Sequence, residues 1–516
     1  MPIRISSSVA KVMVSLVLAG GLFTACRKKE VADTGTNPPS GNGTPKSDED
    51  SLKYLMYNIM QVSYADGGRN TSFDLPTYYW YQQVPKTDPF SSSFAKAEDL
   101  LTSLISYPVD AAKNKIDRYS FLDRTGTLSN KLINGIVGQT QADVKGDFGL
   151  QATYTRSGQL IVLYTDKNSP AGQQGIQRGW EITAVNGDSN ISYDNGGANT
   201  KKVEAALFSS NQVTLAFKAP GGANMGTYSL SASSYNINPV LFDTVYTVNS
   251  KKVGYFVFYT YASPFASNGA PTTTKLELDR VFNKFSDAGI RDLIVDLRYN
   301  GGGSVSTAQY LDNAIAPAAT KDKKMYNYIY NDKLSANLSA SGLPAGINFA
   351  GGGNLQLNNV FFIVSDNTAS ASELTLNNLK PYMNVKLVGA KTYGKPVGFI
   401  SFNIAAHDAT GTRKYLADLY AINFETRNAN NEGGYFSGID VDHPALDYVD
   451  VPWGAATDDN LKGIFAYISS NGTFPAPTPG ARMAAPDNNR VALPGALRLN
   501  SFKDMVDYQL GKQLQK

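Results

Sequence analysis

Cysteine is almost absent from this 516-residue chain: Cys26 stands alone, so no disulfide can form within it. Histidine is nearly as scarce, with only His407 and His443, and no cluster of His, Cys, Asp and Glu at ligand spacing is present. Neither a metal centre nor a cofactor is therefore expected. Charge is sparse and balanced, 47 Lys and Arg against 44 Asp and Glu for a net +3, which leaves no electrostatic footprint of a nucleic-acid binder. The glycines at 301–303 lack the lysine pattern of a phosphate-binding loop. After the first two dozen residues no apolar run is long enough to cross a bilayer.

Aromatic residues are plentiful. With 30 Tyr, 24 Phe and 42% hydrophobic residues the chain can bury a sizeable core, and its length predicts about three or four domains. Arg4 and Lys11 lead into the apolar stretch Val12–Phe23, too short for a comfortable membrane span but suited to a secretory signal. Thr24 and Ala25 before Cys26 resemble the end of a bacterial lipoprotein signal, with Phe23 where leucine is usual. That resemblance implies that residues 1–25 are removed, that Cys26 carries lipid, and that the protein is anchored to a membrane in the cell envelope of a bacterium. The other reading is an ordinary signal peptide with an incidental cysteine. Residues 26–50 are rich in Gly, Pro, Thr, Asn and Lys and read as a flexible tether.

The stretch around which the chain is organised is Val360-Phe361-Phe362-Ile363-Val364-Ser365-Asp366-Asn367-Thr368-Ala369-Ser370-Ala371-Ser372-Glu373-Leu374. Five apolar residues read as a fully buried strand, and the small polar residues after them as a turn opening a helix. The free N–H groups at a helix N-terminus favour developing negative charge, so Ser370 is a candidate nucleophile. A serine hydroxyl needs a base. Neither histidine sits at a strand end that points to a triad, although sequence distance alone excludes neither. The strand Val385–Gly389 leads into Thr392-Tyr393-Gly394-Lys395-Pro396, and Lys395 follows Ser370 by 25 residues, a strand-helix-strand length that returns the chain to the same sheet edge.

These residues resemble the Ser/Lys signature of the C-terminal processing (tail-specific) peptidases of family S41. The resemblance implies Ser370 as nucleophile and Lys395 as general base. Leu293-Ile294-Val295-Asp296-Leu297-Arg298-Tyr299-Asn300-Gly301-Gly302-Gly303 is similar to the family's D-L-R-x-N-x-G-G segment, which implies that the N–H groups of Gly303 and Ala371 hold the oxyanion. Arg298 reads as a brace for that loop, and Asp296 as paired with backbone or a basic group. Phe399 stands where some members place a Gln that orients the lysine, and Pro381 and Tyr382 where others carry an Asp.

Upstream, Gly146-Asp147-Phe148-Gly149-Leu150 precedes alternating strand patterns, and Ser169-Pro170-Ala171 is followed by Gly179-Trp180-Glu181-Ile182 and Asn186-Gly187. This resembles the PDZ domain of the same peptidases, with Trp180 for the usual Asp. It implies that Gly146, Asp147, Phe148, Gly149 and Leu150 form a loop that binds the carboxylate of an extended peptide. A PDZ fold serving only as a spacer is the alternative.

The expected architecture is a multidomain α+β protein. Residues 51–137 form an N-terminal helical domain, with Leu52, Leu55, Met56, Ile59 and Met60 and then Phe94, Ala97, Leu100, Leu101 and Leu104 at helical spacing. Tyr78–Tyr81 read as packing for it or as the lining of a peptide groove. Residues 138–235 form a PDZ-like, β-rich domain and 240–470 an α/β serine-peptidase core. Residues 331–359 read as a surface loop. The tail, 471–516, has no recognised role, with an added helix over Phe502–Leu514. The function implied is that of a Ser/Lys endopeptidase acting on protein or peptide substrates through their free C-termini. Two alternatives stay open: a catalytically weak or silent peptide-binding lipoprotein, and an esterase or amidase for small molecules, which would leave the PDZ-like region without a role.

Overall fold

The computed structural model describes residues 45–62, 75–138, 147–351, 353–407, 410–470, 472–475, 488–497 and 503–514. The signal peptide, Cys26 and Gly146 lie outside the described residues.

At the centre is a six-stranded sheet in the order His443–Pro444, Asn384–Gly389, Asn359–Val364, Asp292–Asp296, Lys251–Phe258, Val240–Val248. The first five strands run parallel and the last is antiparallel. The apolar run predicted as a buried strand is the third of these. It is apolar without alternation because both its faces are covered: Val360, Phe362 and Val364 enter one buried cluster, Phe361 and Ile363 another. Leu278, Val281 and Phe285 of the helix Thr273–Asp287 pack in the first cluster, and Leu461, Ile464 and Ile468 of the helix Asp459–Ser469 in the second.

A second sheet orders Gly302–Ser304, Asp504–Val506, Val397–His407, Arg413–Asn428, Lys324–Tyr330 and Gly346–Asn348, with Phe121–Asp123 also paired to Arg413–Asn428. Two expectations are corrected here. The region read as a loop over 331–359 holds helices Asp332–Ala336 and Leu338–Ser341 and the strand Gly346–Asn348. Asn331 caps the first helix through the Leu334 N–H at 2.9 Å, and Leu334, Leu343 and Phe349 are buried. The stretch Phe502–Leu514, read as one helix, is instead the strand Asp504–Val506 followed by the helix Tyr508–Leu514. Asp507 divides them, its carboxylate accepting the N–H groups of Gln509 and Leu510.

The helices Asp48–Tyr57 and Ala97–Leu104 form where their apolar spacing predicts, and their buried Leu52, Met56, Leu100 and Leu104 join the same cluster as Val360 and Phe362. Tyr78 is buried with its hydroxyl on Asp117 at 2.6 Å, and the Tyr79 N–H donates to the Ile422 carbonyl, so this aromatic stretch is stitched into the core.

A separate antiparallel sheet comprises Leu150–Tyr154, Leu160–Thr165, Glu181–Val185, Gln212–Lys218 and Asn224–Ser231, in that order, with the helix Ala198–Phe208. It has its own buried cluster, in which Trp180 packs on Phe217 with ring centroids 5.7 Å apart. Leu150–Tyr154 is an edge strand of this sheet.

Candidate active site

The turn after Asn359–Val364 is held against the loop that follows Asp292–Asp296. Thr368 Oγ1 donates to the Leu297 carbonyl at 2.8 Å, and the Asn300 carbonyl accepts the Ala369 N–H at 3.2 Å and Ser372 Oγ at 3.1 Å. Ser370 then opens the helix Ala371–Leu379 with φ +64° and ψ −115°, a conformation that a residue with a Cβ adopts only under constraint. Its side chain is buried, and among the described residues its Oγ has no hydrogen-bond partner. It is therefore not serving as a helix cap, and neither histidine bonds it. His443 lies at the far edge of the central sheet, its ring stacked on Phe474.

The constraint on Ser370 comes from Glu373. One carboxylate oxygen, Oε2, accepts the backbone N–H of Ser370 and that of Lys395, both at 2.8 Å. The two backbones are thus no farther apart than twice that distance. The other oxygen accepts Thr392 Oγ1 at 2.5 Å and the Gly394 N–H at 2.8 Å. Glu373 is fully buried. Burial raises its pKa above the usual carboxylate value, and the four donors oppose that rise. Sequence reasoning quoted this residue without giving it a role. The signal was there, since a glutamate three residues after a helix-opening serine is the capping-box spacing.

Lys395 is buried as well. Its Nζ lies 3.9 Å from the centroid of the Phe399 ring and 5.3 Å from that of Tyr119. Burial pushes its pKa below that of an ordinary lysine, while Asp504, Asp117 and Glu373 pull it back up. Phe399 thus offers an aromatic face where a hydrogen-bonding side chain was to be looked for. The structure does not join the two side chains of the expected dyad directly: Lys395 Nζ donates to the carbonyl of Lys503.

Gly302 and Gly303 have φ of +101° and +142°. A Cβ on Gly302 would stand 2.2 Å from the Asp504 carbonyl oxygen and 2.8 Å from the Ala371 nitrogen, so only glycine lets this loop lie against the opening of the serine's helix. Tyr261 clamps the loop from the other side, its N–H on the Gly302 carbonyl and its carbonyl on the Ser304 N–H. Behind the loop, Arg298 is buried among Asp296, Asp447 and Asp458 at 2.7, 2.7 and 2.9 Å. Arg178, from the separate sheet, shares Asp447 at 2.7 Å, and both guanidiniums lie over Trp453. Those two cations hold the Asp447 carboxyl at about 2 against the upward push of burial.

The residues expected to bind a peptide carboxylate lie far along the chain from this site. Asp147 pairs with Ser233, its side chain accepts the Gly149 N–H at 2.6 Å, Phe148 is buried, and Leu150 begins the edge strand. Among the described residues no group of His, Cys, Asp and Glu is placed to hold a metal ion, and no helix is long and apolar enough to cross a membrane.

A buried, unpartnered serine at a helix N-terminus, a buried lysine whose backbone is fixed to the same carboxylate and a glycine loop beside the helix's first amide, on a mixed α/β scaffold, are groups of the kind that acyl transfer needs. Residues 252–428, which carry all of them, match the sequence model of peptidase family S41. The probable CtpA-like serine protease of Staphylococcus saprophyticus is 28% identical over 257 residues, 49% of this chain and 46% of that relative. The chloroplastic C-terminal processing peptidase of Tetradesmus obliquus is 26% identical over 287 residues, 52% of this chain and 55% of that relative. The chain spans about half the length of these curated relatives. A Bacteroides fragilis protein assigned to the S41 proteases has the same fold, with a TM-score of 0.59 at 22% identity over 85% of this chain and 100% of that one.

Proposed function

We propose that this chain is a serine endopeptidase of the Ser/Lys type that cleaves protein or peptide substrates in a bacterial cell envelope. The observation that carries the reading is Glu373 Oε2, which fixes the backbones of Ser370 and Lys395 to one point. Neutral Lys395 takes the proton of Ser370 as its oxygen attacks a peptide carbonyl, and the N–H groups of Gly303 and Ala371 receive the oxyanion. The lysine returns the proton to the departing amine, and water then releases the acyl group from Ser370 by the same steps. Each oxyanion donor contributes about 3 kcal/mol to such a transition state.

The finer parts of the reading rest on sequence resemblance together with this geometry. The five-stranded unit acts as a PDZ-like module that takes substrate C-termini on its edge strand, beside Gly146–Leu150. Lipid on Cys26 holds the chain at the membrane. The curated relatives named for C-terminal processing support this choice of substrate end.

One observation favours a second reading, a catalytically silent peptide-binding lipoprotein: Lys395 Nζ bonds the Lys503 carbonyl and not Ser370 Oγ. Labelling with a saturating fluorophosphonate probe and mapping of the modified peptide separates the two. Modification at Ser370, abolished by Ser370→Ala, is expected of the peptidase. A folded chain that resists the probe at Ser370, and still resists it when shortened to end at residue 475, refutes it.

A further inference from the structure

The C-terminal segment touches both functional surfaces. Residues 491–493 add to the edge of the five-stranded sheet: the Leu493 N–H donates to the Tyr154 carbonyl at 2.7 Å, the Arg156 N–H to the Val491 carbonyl at 3.3 Å, and Thr155 and Ala492 are antiparallel partners. The segment runs antiparallel to Leu150–Tyr154, hence towards the Asp147–Leu150 turn. Ala496 and Leu497 are buried in the cluster that holds Leu150, Ala152, Val203 and Leu207. An incoming peptide would add to this sheet in that way and in that direction.

Residues 503–507 lie beside the candidate active site. Asp504–Val506 pairs in parallel with Gly302–Ser304, and the Asp504 N–H donates to the Gly301 carbonyl at 2.9 Å. In a parallel ladder of that phase the next bond runs from the Gly303 N–H to the Asp504 carbonyl. The Asp504 carbonyl, which a Cβ on Gly302 would strike, is therefore taking the expected oxyanion donor. The preceding carbonyl, of Lys503, takes Lys395 Nζ. Lys503 itself is tied down, its Nζ 3.5 Å from the Tyr393 ring centroid and 3.2 Å from the Asp366 carbonyl. Asp504 is buried, and its charge favours the ammonium form of Lys395. On the other side Val506 is the register partner of Phe399, and the Asp507 N–H donates to the Phe399 carbonyl at 2.9 Å.

A substrate strand would use the same donors. Here they are spent on the protein's own backbone in a way that leaves Ser370 without a base. We propose that residues 488–497, seated on the edge strand, and 503–507, seated beside Lys395 and the glycine loop, act together as an intramolecular pseudosubstrate, which holds the enzyme inactive until it is displaced or cut. This rests on the peptidase reading above. It accounts for Lys395 Nζ bonding the Lys503 carbonyl and not Ser370 Oγ.

The test compares three forms of the mature protein: the full chain, a form ending at residue 475, and the full chain carrying Asp504→Pro. That proline removes the N–H bonded to Gly301 and also the carboxylate that favours the Lys395 ammonium, so Asp504→Asn, which keeps the N–H and loses only the charge, is measured beside it. Fluorophosphonate labelling of Ser370 and cleavage of casein are followed in each, with circular dichroism and thermal melting to show that each is folded. If the open population is below about a tenth, both altered forms label at least about tenfold faster than the full chain. A synthetic peptide of residues 488–514, added in trans, is expected to return the shortened form to the slow rate. Folded variants that label no faster than the full chain, or more slowly, overturn the inhibitory role and make the segment a structural strand. Should the form ending at 475 fail to fold, Asp504→Pro measured against Asp504→Asn decides between these outcomes. Failure of every folded form to label overturns the peptidase reading, and the inhibitory role falls with it. In that case binding of the same peptide to the shortened form, read by fluorescence polarisation, still shows whether the segment seats itself.

Discussion

Replacing Glu373 tests whether one buried carboxylate holds the nucleophile and the base in register. Glu373→Gln keeps the shape but converts one acceptor oxygen into an NH2 donor. The amide has a preferred way to sit: its oxygen where Oε2 receives the Ser370 and Lys395 N–H groups, its nitrogen facing Thr392 Oγ1, which can rotate to accept. The Gly394 N–H is then orphaned. One unpaired buried donor costs about 1–3 kcal/mol, so the glutamine variant should lose that much stability and keep much of its reactivity. Glu373→Ala strands the N–H groups of Ser370, Gly394 and Lys395 together, which costs at least about 3 kcal/mol. It also frees the strained Ser370 to relax, and an ångström of misplacement is enough to lower reactivity about a hundredfold. Urea unfolding monitored by tryptophan fluorescence, with probe labelling of Ser370 against the matched parent, measures both effects. An alanine variant that unfolds at the parent's midpoint and labels at the parent's rate would refute the idea that Glu373 positions the site.

The remaining expectations concern the base and the substrate. Because burial lowers the Lys395 pKa and only the neutral amine accepts a proton, peptide cleavage should rise with pH through a midpoint below the ordinary lysine value of about 10.4 and be lost on the acid side. Lys395→Arg, permanently charged, should lower turnover by about 10²-fold or more at every pH while the fold stays intact, as a pH–rate series with a melting curve will show. Amidating the C-terminus of a peptide substrate removes the charge that the loop at Gly146–Leu150 would hold, so affinity by fluorescence polarisation should fall. Equal binding of acid and amide would rule out carboxylate capture there.

What could be read from the sequence was what short-range chemistry dictates. Val360–Val364 announced a strand buried on both faces because five apolar residues in a row have no solvent-facing position. Ser370 and Lys395 stood out through their small-residue and glycine surroundings. Asp296 was legible as a group in need of a backbone or basic partner because a charge at the end of such a strand needs one, and Arg298 as a brace for the loop; that the two pair with each other came from the structure. Glu373 was passed over because its hydrogen bonds reach residues 19 to 22 positions away, and only the serine three residues before it hinted at them. The C-terminal strand was harder still. Three residues carry no period of their own, and Asp504–Val506 is extended only because Gly302–Ser304 and Phe399 are there to pair with it. The stretch 331–359 looked like a loop because its helices are four and five residues long, below the length at which apolar spacing becomes visible.

The two guanidiniums behind the glycine loop bear on how this protein can diverge. Arg298 and Arg178 meet on Asp447, with Asp296 and Asp458 completing the set. Loss of either arginine leaves three carboxylates facing one cation, and loss of Asp447 leaves Arg178 without its acid, each at about 3–5 kcal/mol, whereas an apolar set of matching volume is often no less stable than the ions it replaces. Neutral drift one substitution at a time is therefore blocked here, though the joint replacement is not. Across a lineage these positions should change as a haplotype or not at all, and a chain that keeps Arg178 while lacking Asp447 should carry a compensating acid close by.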